Sequence, residues 1–221
     1  MVRDGDSSVI LFLITMFTHL ALFPPMYIYY QRGCFFELSA ALFGFVASFM
    51  YHTCEDFDMI IFLSERQWHR LDNIGVLTTL GVLFVFLARF TNKTVERLWT
   101  YSVVFITIIV QQKHPWDVRL TVAPLLMFFL IPVVNHCFIN RYLPYINKRN
   151  FLVGVGFLGV ATLFFVKGLD DDDPYRLFHG LWHFFGGISF TFLMCTFSSS
   201  APSKSGAKYT RDFLRSNYDS L

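Results

Sequence analysis

The chain has 221 residues, of which 54% are hydrophobic and only 15% charged, with 28 Phe among them. A soluble domain carries about 25% charged residues, so this composition cannot present a surface polar enough for water, and disorder, fibres and a small disulfide scaffold are excluded too. A net charge of +2 without a long basic stripe leaves no electrostatic footprint for nucleic acid. What remains is an all-α, polytopic membrane protein.

A spanning helix needs about 20 mostly apolar residues. Taken in chain order, seven segments qualify: 9–30, 34–53, 71–90, 98–110, 120–139, 151–169 and 177–197. The fourth is the shortest, and Gln111 and Gln112 extend it inside a bundle. The N-terminal apolar run is long, starts with mixed charges and has no small-residue cleavage site after it. It therefore reads as a retained first span rather than a signal peptide. Pro24 and Pro25 predict a kink in it. The seven-helix transmembrane domain covers residues 1–197, and residues 198–221 form a polar, mobile tail. Counting Lys and Arg by side gives 11 on one face, 4 of them in the tail, against 7 on the other. The positive-inside bias puts the N-terminus outside or lumenal and the C-terminus in the cytosol.

Ionisable residues within spans are costly and mark function by default. Ser48 and His52 lie four apart near the end of the second segment, on one helix face. Asp72 opens the third segment, and His179 and His183, again four apart, occupy the first turns of the last. The alternating direction of the helices brings all five to one level near the outer boundary, although 135 residues separate Ser48 from His183. Three imidazoles, His52, His179 and His183, are the usual protein set for a catalytic zinc, with a fourth position left for water. The ion (Zn2+) lowers the pKa of that water towards neutrality. Asp72 is the candidate base, and Ser48 the candidate hydrogen-bond donor to water or a developing oxyanion. Each group has a plainer reading: interhelical hydrogen bonds for the HxxxH pair, helix packing for Ser48, and an N-cap or a partner for Arg70 in the case of Asp72. Their joint register favours the metal site.

Other features rank lower. His69 reads as an interfacial side chain rather than a fourth ligand, and Trp68 and Trp182 as interface anchors. Asp170 to Asp173 read as a solvated acidic loop with no EF-hand pattern. His114 reads as a loop residue and His136 as a packing residue. Cys54 and Glu55 shape the pocket rim without acting as ligands. Cys34, Cys137 and Cys195 read as small buried hydrophobes. Asn92 opens a glycosylation sequon on the side assigned to the cytosol. The 13 glycines permit close helix packing and leave a homo-oligomer open without specifying one.

These residues carry a resemblance. SxxxH on the second span, Asp on the third and HxxxH on the last are similar to the pattern of the seven-span superfamily containing alkaline ceramidases and the progestin and adipoQ receptors. Within it, LALFPPMYIYYQRGCFFELSAALFGFVASFMYHTCE resembles the transmembrane protein 8 and myomaker family, and WHRLDNIG and HGLWHFFGGISF extend the likeness over residues 20–197. The resemblance implies zinc held by three histidines, and a hydrolase acting on an ester or amide of membrane lipid at the outer leaflet. Its alternative implication is a plasma-membrane protein that promotes cell–cell fusion with a membrane-protein partner and a structural zinc. A ligand-sensing receptor is the third. The chain keeps Asp72, so the hydrolytic set is complete. It lacks the cysteine cluster of the vertebrate myomaker tail.

Overall fold

The computed structural model describes residues 7–141, 146–169 and 173–197. The tail and Asp170 to Asp172 lie outside the described residues, as do Arg3 and the tail lysines and arginines that entered the charge count.

Seven long helices form among the described residues, with no strand beyond a single bridge between Ile61 and Leu63. They are α1 (Ser8–Gln31), α2 (Phe35–Phe57), α3 (Glu65–Ala88), α4 (Lys93–Gln111), α5 (Arg119–Ile139), α6 (Lys148–Lys167) and α7 (Pro174–Met194). Six are long and apolar enough to cross a membrane, which marks a multi-pass membrane protein. The exception is α4, whose first turns carry Lys93, Glu96 and Arg97. Its other end stops at Gln111, which is fully buried and donates to the Leu120 carbonyl at 3.0 Å.

Two boundaries move the site. Helix α2 runs to Phe57, and α3 starts at Glu65 rather than near 71. The polar run SERQWHR is the first helical turns of α3 and not a loop. Ser64 and Gln67 form a capping box, with the Ser64 N–H donating to the Gln67 side-chain oxygen at 2.9 Å. Asp72 therefore sits two turns inside α3 and does not open it.

Helix α1 breaks where the prolines require it. It is α-helical to His19, tightens into a 3-10 turn at Leu20–Leu22, and resumes at Phe23, with Pro24 and Pro25 in its first turn. A missing N–H costs little there, because first-turn N–H groups have no intrahelical partner. The break leaves His19 as the last residue of the first segment.

The bundle is organised around α3, the most buried of the six apolar helices. One apolar cluster joins it to α4 and α5 through Val82, Val85, Val103, Phe128 and Ile131. Another joins it to α1 and α7 through Tyr29, Leu83, Phe190, Leu193 and Met194. Asn135 and His136, in the π-helical turn that ends α5, donate to the Ala88 and Leu87 carbonyls at 2.7 and 3.0 Å and close the end of α3. His136 is thus the packing residue expected. Asn92 caps α4 by accepting from the Thr94 N–H at 2.8 Å. The four cysteines are free, and only Cys54 is buried. Cys137 is exposed on the outward face of the π-helical turn, against the expectation of a buried hydrophobe.

Two glycine contacts set the helix spacing at the site. A Cβ on Gly75 of α3 would stand 2.3 Å from the Gly44 Cα of α2. A Cβ on Gly187 of α7 would stand 2.3 Å from the Ala21 carbonyl oxygen, in the 3-10 turn of α1. Gly75→Ala should therefore push α2 from α3 and lower stability by about 1–3 kcal/mol, as overpacking does. Gly156→Ala, where a Cβ meets nothing within 4 Å, should be neutral or slightly stabilising. Thermal unfolding of the detergent-purified variants checks both.

Candidate metal centre

Helices α1, α2, α3 and α7 converge on a buried polar cluster in this apolar frame. Helix α2 brings Ser48 and His52, one turn apart, and both are about 2% exposed. Helix α3 brings buried Asp72, and α7 brings His183, buried, and His179, half-buried. Helix α1 brings His19, at 1% exposure. At 1.5 Å of rise per residue, His19 lies about 16 Å along α1 from Ser8, well inside that helix.

The imidazoles face one another. The Nε2 atoms of His179 and His183 are 3.3 Å apart. Ring centroids of His52 lie 5.0 Å from His179 and 5.5 Å from His183, and those of His19 and His183 are 4.3 Å apart. His19, His52 and His183 each offer one ring nitrogen, and these three atoms lie within 4.8 Å of one another.

Neighbours fix where the ring protons sit. His19 Nδ1 donates to the Thr15 carbonyl at 2.8 Å, which leaves Nε2 of the neutral ring as an acceptor facing the Ser48 hydroxyl at 3.0 Å. Glu55 Oε2 lies 3.6 Å from His52 Nδ1 and favours a proton there. His52 Nε2 is then left as a bare acceptor, buried and without a hydrogen-bond partner. Glu55 is itself ion-paired to Arg176 at the start of α7. The Asp72 carboxylate lies beside the Ser48 hydroxyl, and its Oδ1 has no hydrogen-bond partner.

A metal ion fits these donors. A tetrahedral zinc with Zn–N bonds of about 2.0–2.1 Å holds its ligand nitrogens about 3.3–3.4 Å apart, which is the His179–His183 spacing. The orphaned His52 Nε2 is a third nitrogen with no other use for its lone pair. Its carboxylate backing is the usual outer-shell arrangement of a metal-bound histidine.

A model of a family described as a protein of unknown function (DUF3522) matches residues 7–184, which takes in every residue of the cluster. The chain belongs to the DUF3522 family. No curated protein matches it.

Two cavities flank the cluster in this DUF3522 protein. One, of about 480 Å³, is walled by Tyr51, His69, Asp72, Trp116, Arg176 and His179. The other, of about 110 Å³, is lined by apolar residues such as Pro25, Phe45 and Phe190, with Ser48 at its wall. His183 and Trp182 line both, so Trp182 stands between the cavities. His69 stacks on Trp116 at 3.7 Å between ring centroids and stays out of the imidazole cluster.

All five residues picked from spacing meet here, and two more join them. His19 gives no paired signal, because ITMFTHLAL holds no second histidine or acid at helical spacing from it. An isolated ionisable residue in mid-span, five residues before Pro24, was the available signal. Glu55 was placed at a rim, but it is buried behind His52. Asp173, the one described member of the acidic run, accepts from the backbone N–H groups of Phe178 and His179 at 2.9 and 3.0 Å and caps α7. Glu55→Gln removes the charge behind His52 and should lower metal affinity by roughly 10–100-fold. Competition with a chelator of known affinity measures this.

Proposed function

We propose that this chain is a seven-span hydrolase of membrane lipid, with its N-terminus outside and its C-terminus in the cytosol, acting at the plasma membrane. The observation that carries the reading is the arrangement of Asp72, Ser48 and the imidazoles between a larger cavity, whose mostly apolar wall carries several polar side chains, and a smaller apolar one. His52, His179 and His183 are the proposed zinc ligands. Bound there, zinc supplies a Lewis acid that activates water towards an ester or amide carbonyl.

The chain's own groups supply the rest. Asp72, through its unpartnered oxygen, takes the proton that water gives up as the new C–O bond forms. Ser48 donates a hydrogen bond to the carbonyl oxygen as negative charge grows there. The bond to the lipid alcohol or amine then breaks, and that leaving group receives the proton from Asp72. The acyl chain lies in the apolar cavity, whose walls exclude water from it.

Asp72→Asn should keep zinc and abolish turnover of ester- and amide-linked lipids by the purified protein. His52→Ala and His183→Ala should lose both zinc and turnover. Lipid hydrolysis is followed by mass spectrometry of the released fatty acid, and undiminished hydrolysis by Asp72→Asn rules the mechanism out.

A second reading rests on the stretch 20–55, which resembles the fusion-promoting branch and forms the kinked half of α1 together with α2. In it the zinc is structural and the protein promotes cell–cell fusion with a partner in the opposing membrane. Two-colour content mixing between cells expressing the chain separates the readings: Asp72→Asn should leave mixing intact.

A further inference from the structure

We propose that His19 of α1 is a metal ligand, so that His19, His52 and His183 form the permanent set and His179 takes the fourth, cavity-facing position. The inference rests on the reading that the cluster holds a metal, and it changes which residues hold it.

Three observations carry it. First, among the described residues His19, His52 and His183 form a buried group whose ligand atoms all lie within 4.8 Å of one another, against about 3.3–3.4 Å around a tetrahedral ion. Second, His19 is prepared as a ligand by its surroundings. The Thr15 carbonyl takes the Nδ1 proton at 2.8 Å, fixes the ring and turns the Nε2 lone pair towards the cluster. Metal-bound histidines commonly donate their second ring N–H to a backbone carbonyl or a carboxylate in this way. His52, with Glu55 behind it, is prepared in the same sense. Third, His179 differs from the other three in burial. It is half-buried where they are buried, and of the two cluster imidazoles that line the cavity of about 480 Å³, His179 and His183, it is the more open to an incoming oxygen donor.

The Ser48 hydroxyl occupies the His19 lone pair at 3.0 Å, but it has a second acceptor beside it in Asp72. Releasing His19 to a metal therefore leaves no buried hydroxyl without a partner. The assignment also draws ligands from three helices, where the HxxxH set uses only α2 and α7. It gives the break after His19 a purpose: the 3-10 turn packs on Gly187 and holds His19 against His183.

The test uses the full chain purified in detergent, with zinc measured by mass spectrometry and Co2+ as a spectroscopic probe. His19→Gln should retain under a tenth of the wild-type zinc, with affinity lowered by roughly 100-fold or more, beyond what loss of an outer-shell partner costs. His179→Gln should retain the ion, and its Co2+ absorption should respond to added azide through the vacated position. His19→Glu, which keeps a ligand of similar reach, should bind Co2+ with visible bands shifted from wild type because oxygen replaces nitrogen. This variant decides the matter if His19→Gln does not fold. Wild-type affinity in His19→Gln, or an unshifted Co2+ spectrum in His19→Glu, overturns the proposal and leaves the metal reading standing. A wild-type protein that takes up neither ion overturns both.

Discussion

Burying polar side chains among apolar helices is the constraint on which this structure depends. A polar group taken from water without a partner costs about 2–7 kcal/mol. The bundle holds His19, Ser48, His52, Asp72 and His183 at under a tenth exposure, with Glu55 close behind them. Most of that cost is offset locally: Thr15 and Ser48 serve His19, and Arg176 serves Glu55. Within the cluster the His52 Nε2 and one Asp72 oxygen are left without a hydrogen-bond partner, at the point where the helices meet. Polar side chains from four helices are thereby gathered in one place.

Close helix approach makes this concentration possible. Without side chains at Gly44, Gly75 and Gly187, α2 lies against α3, and the turn of α1 against α7. A wider bundle would separate the imidazoles and admit lipid between them. The two proline-dependent features work to the same end. The turn before Pro24 ends the first segment of α1 at His19, and the turn after Pro132 lets α5 satisfy the carbonyls that end α3. Helix α3 is thus fixed along its length, with Asp72 near one end and its capped carbonyls at the other.

Much of this was legible in the sequence because hydropathy and helical spacing are local signals. Apolar runs located all seven helices, and the spacings Ser48–His52 and His179–His183 placed those residues on common faces. What failed to show depends on the third dimension. His19 becomes meaningful only once α1 is known to touch α7. Glu55 reads as a rim residue while α2 is taken to end at 53, but with the helix running to Phe57 it falls within the bundle. Polar residues also hid the start of α3, since SERQWHR is too hydrophilic for a span window, although Ser64 and Gln67 do spell a capping box. Hydropathy finds the part of a helix that lipid touches, and the site lies partly beyond that part.

The chain separation of the cluster also bears on how the protein is made. His19 and His52 emerge early in synthesis, and His183 follows roughly 130 residues later. At synthesis rates of about 5–20 residues per second, that interval is about 7–26 s. For that time α1 and α2 stand in the membrane with their imidazoles and Glu55 lacking the partners that α7 brings, Arg176 among them. The nascent helices must meanwhile be sheltered by insertion machinery or by each other, through the contact of Ser48 with His19. That hydrogen bond joins two helices that are next to one another in the chain, so it can form before α7 is made.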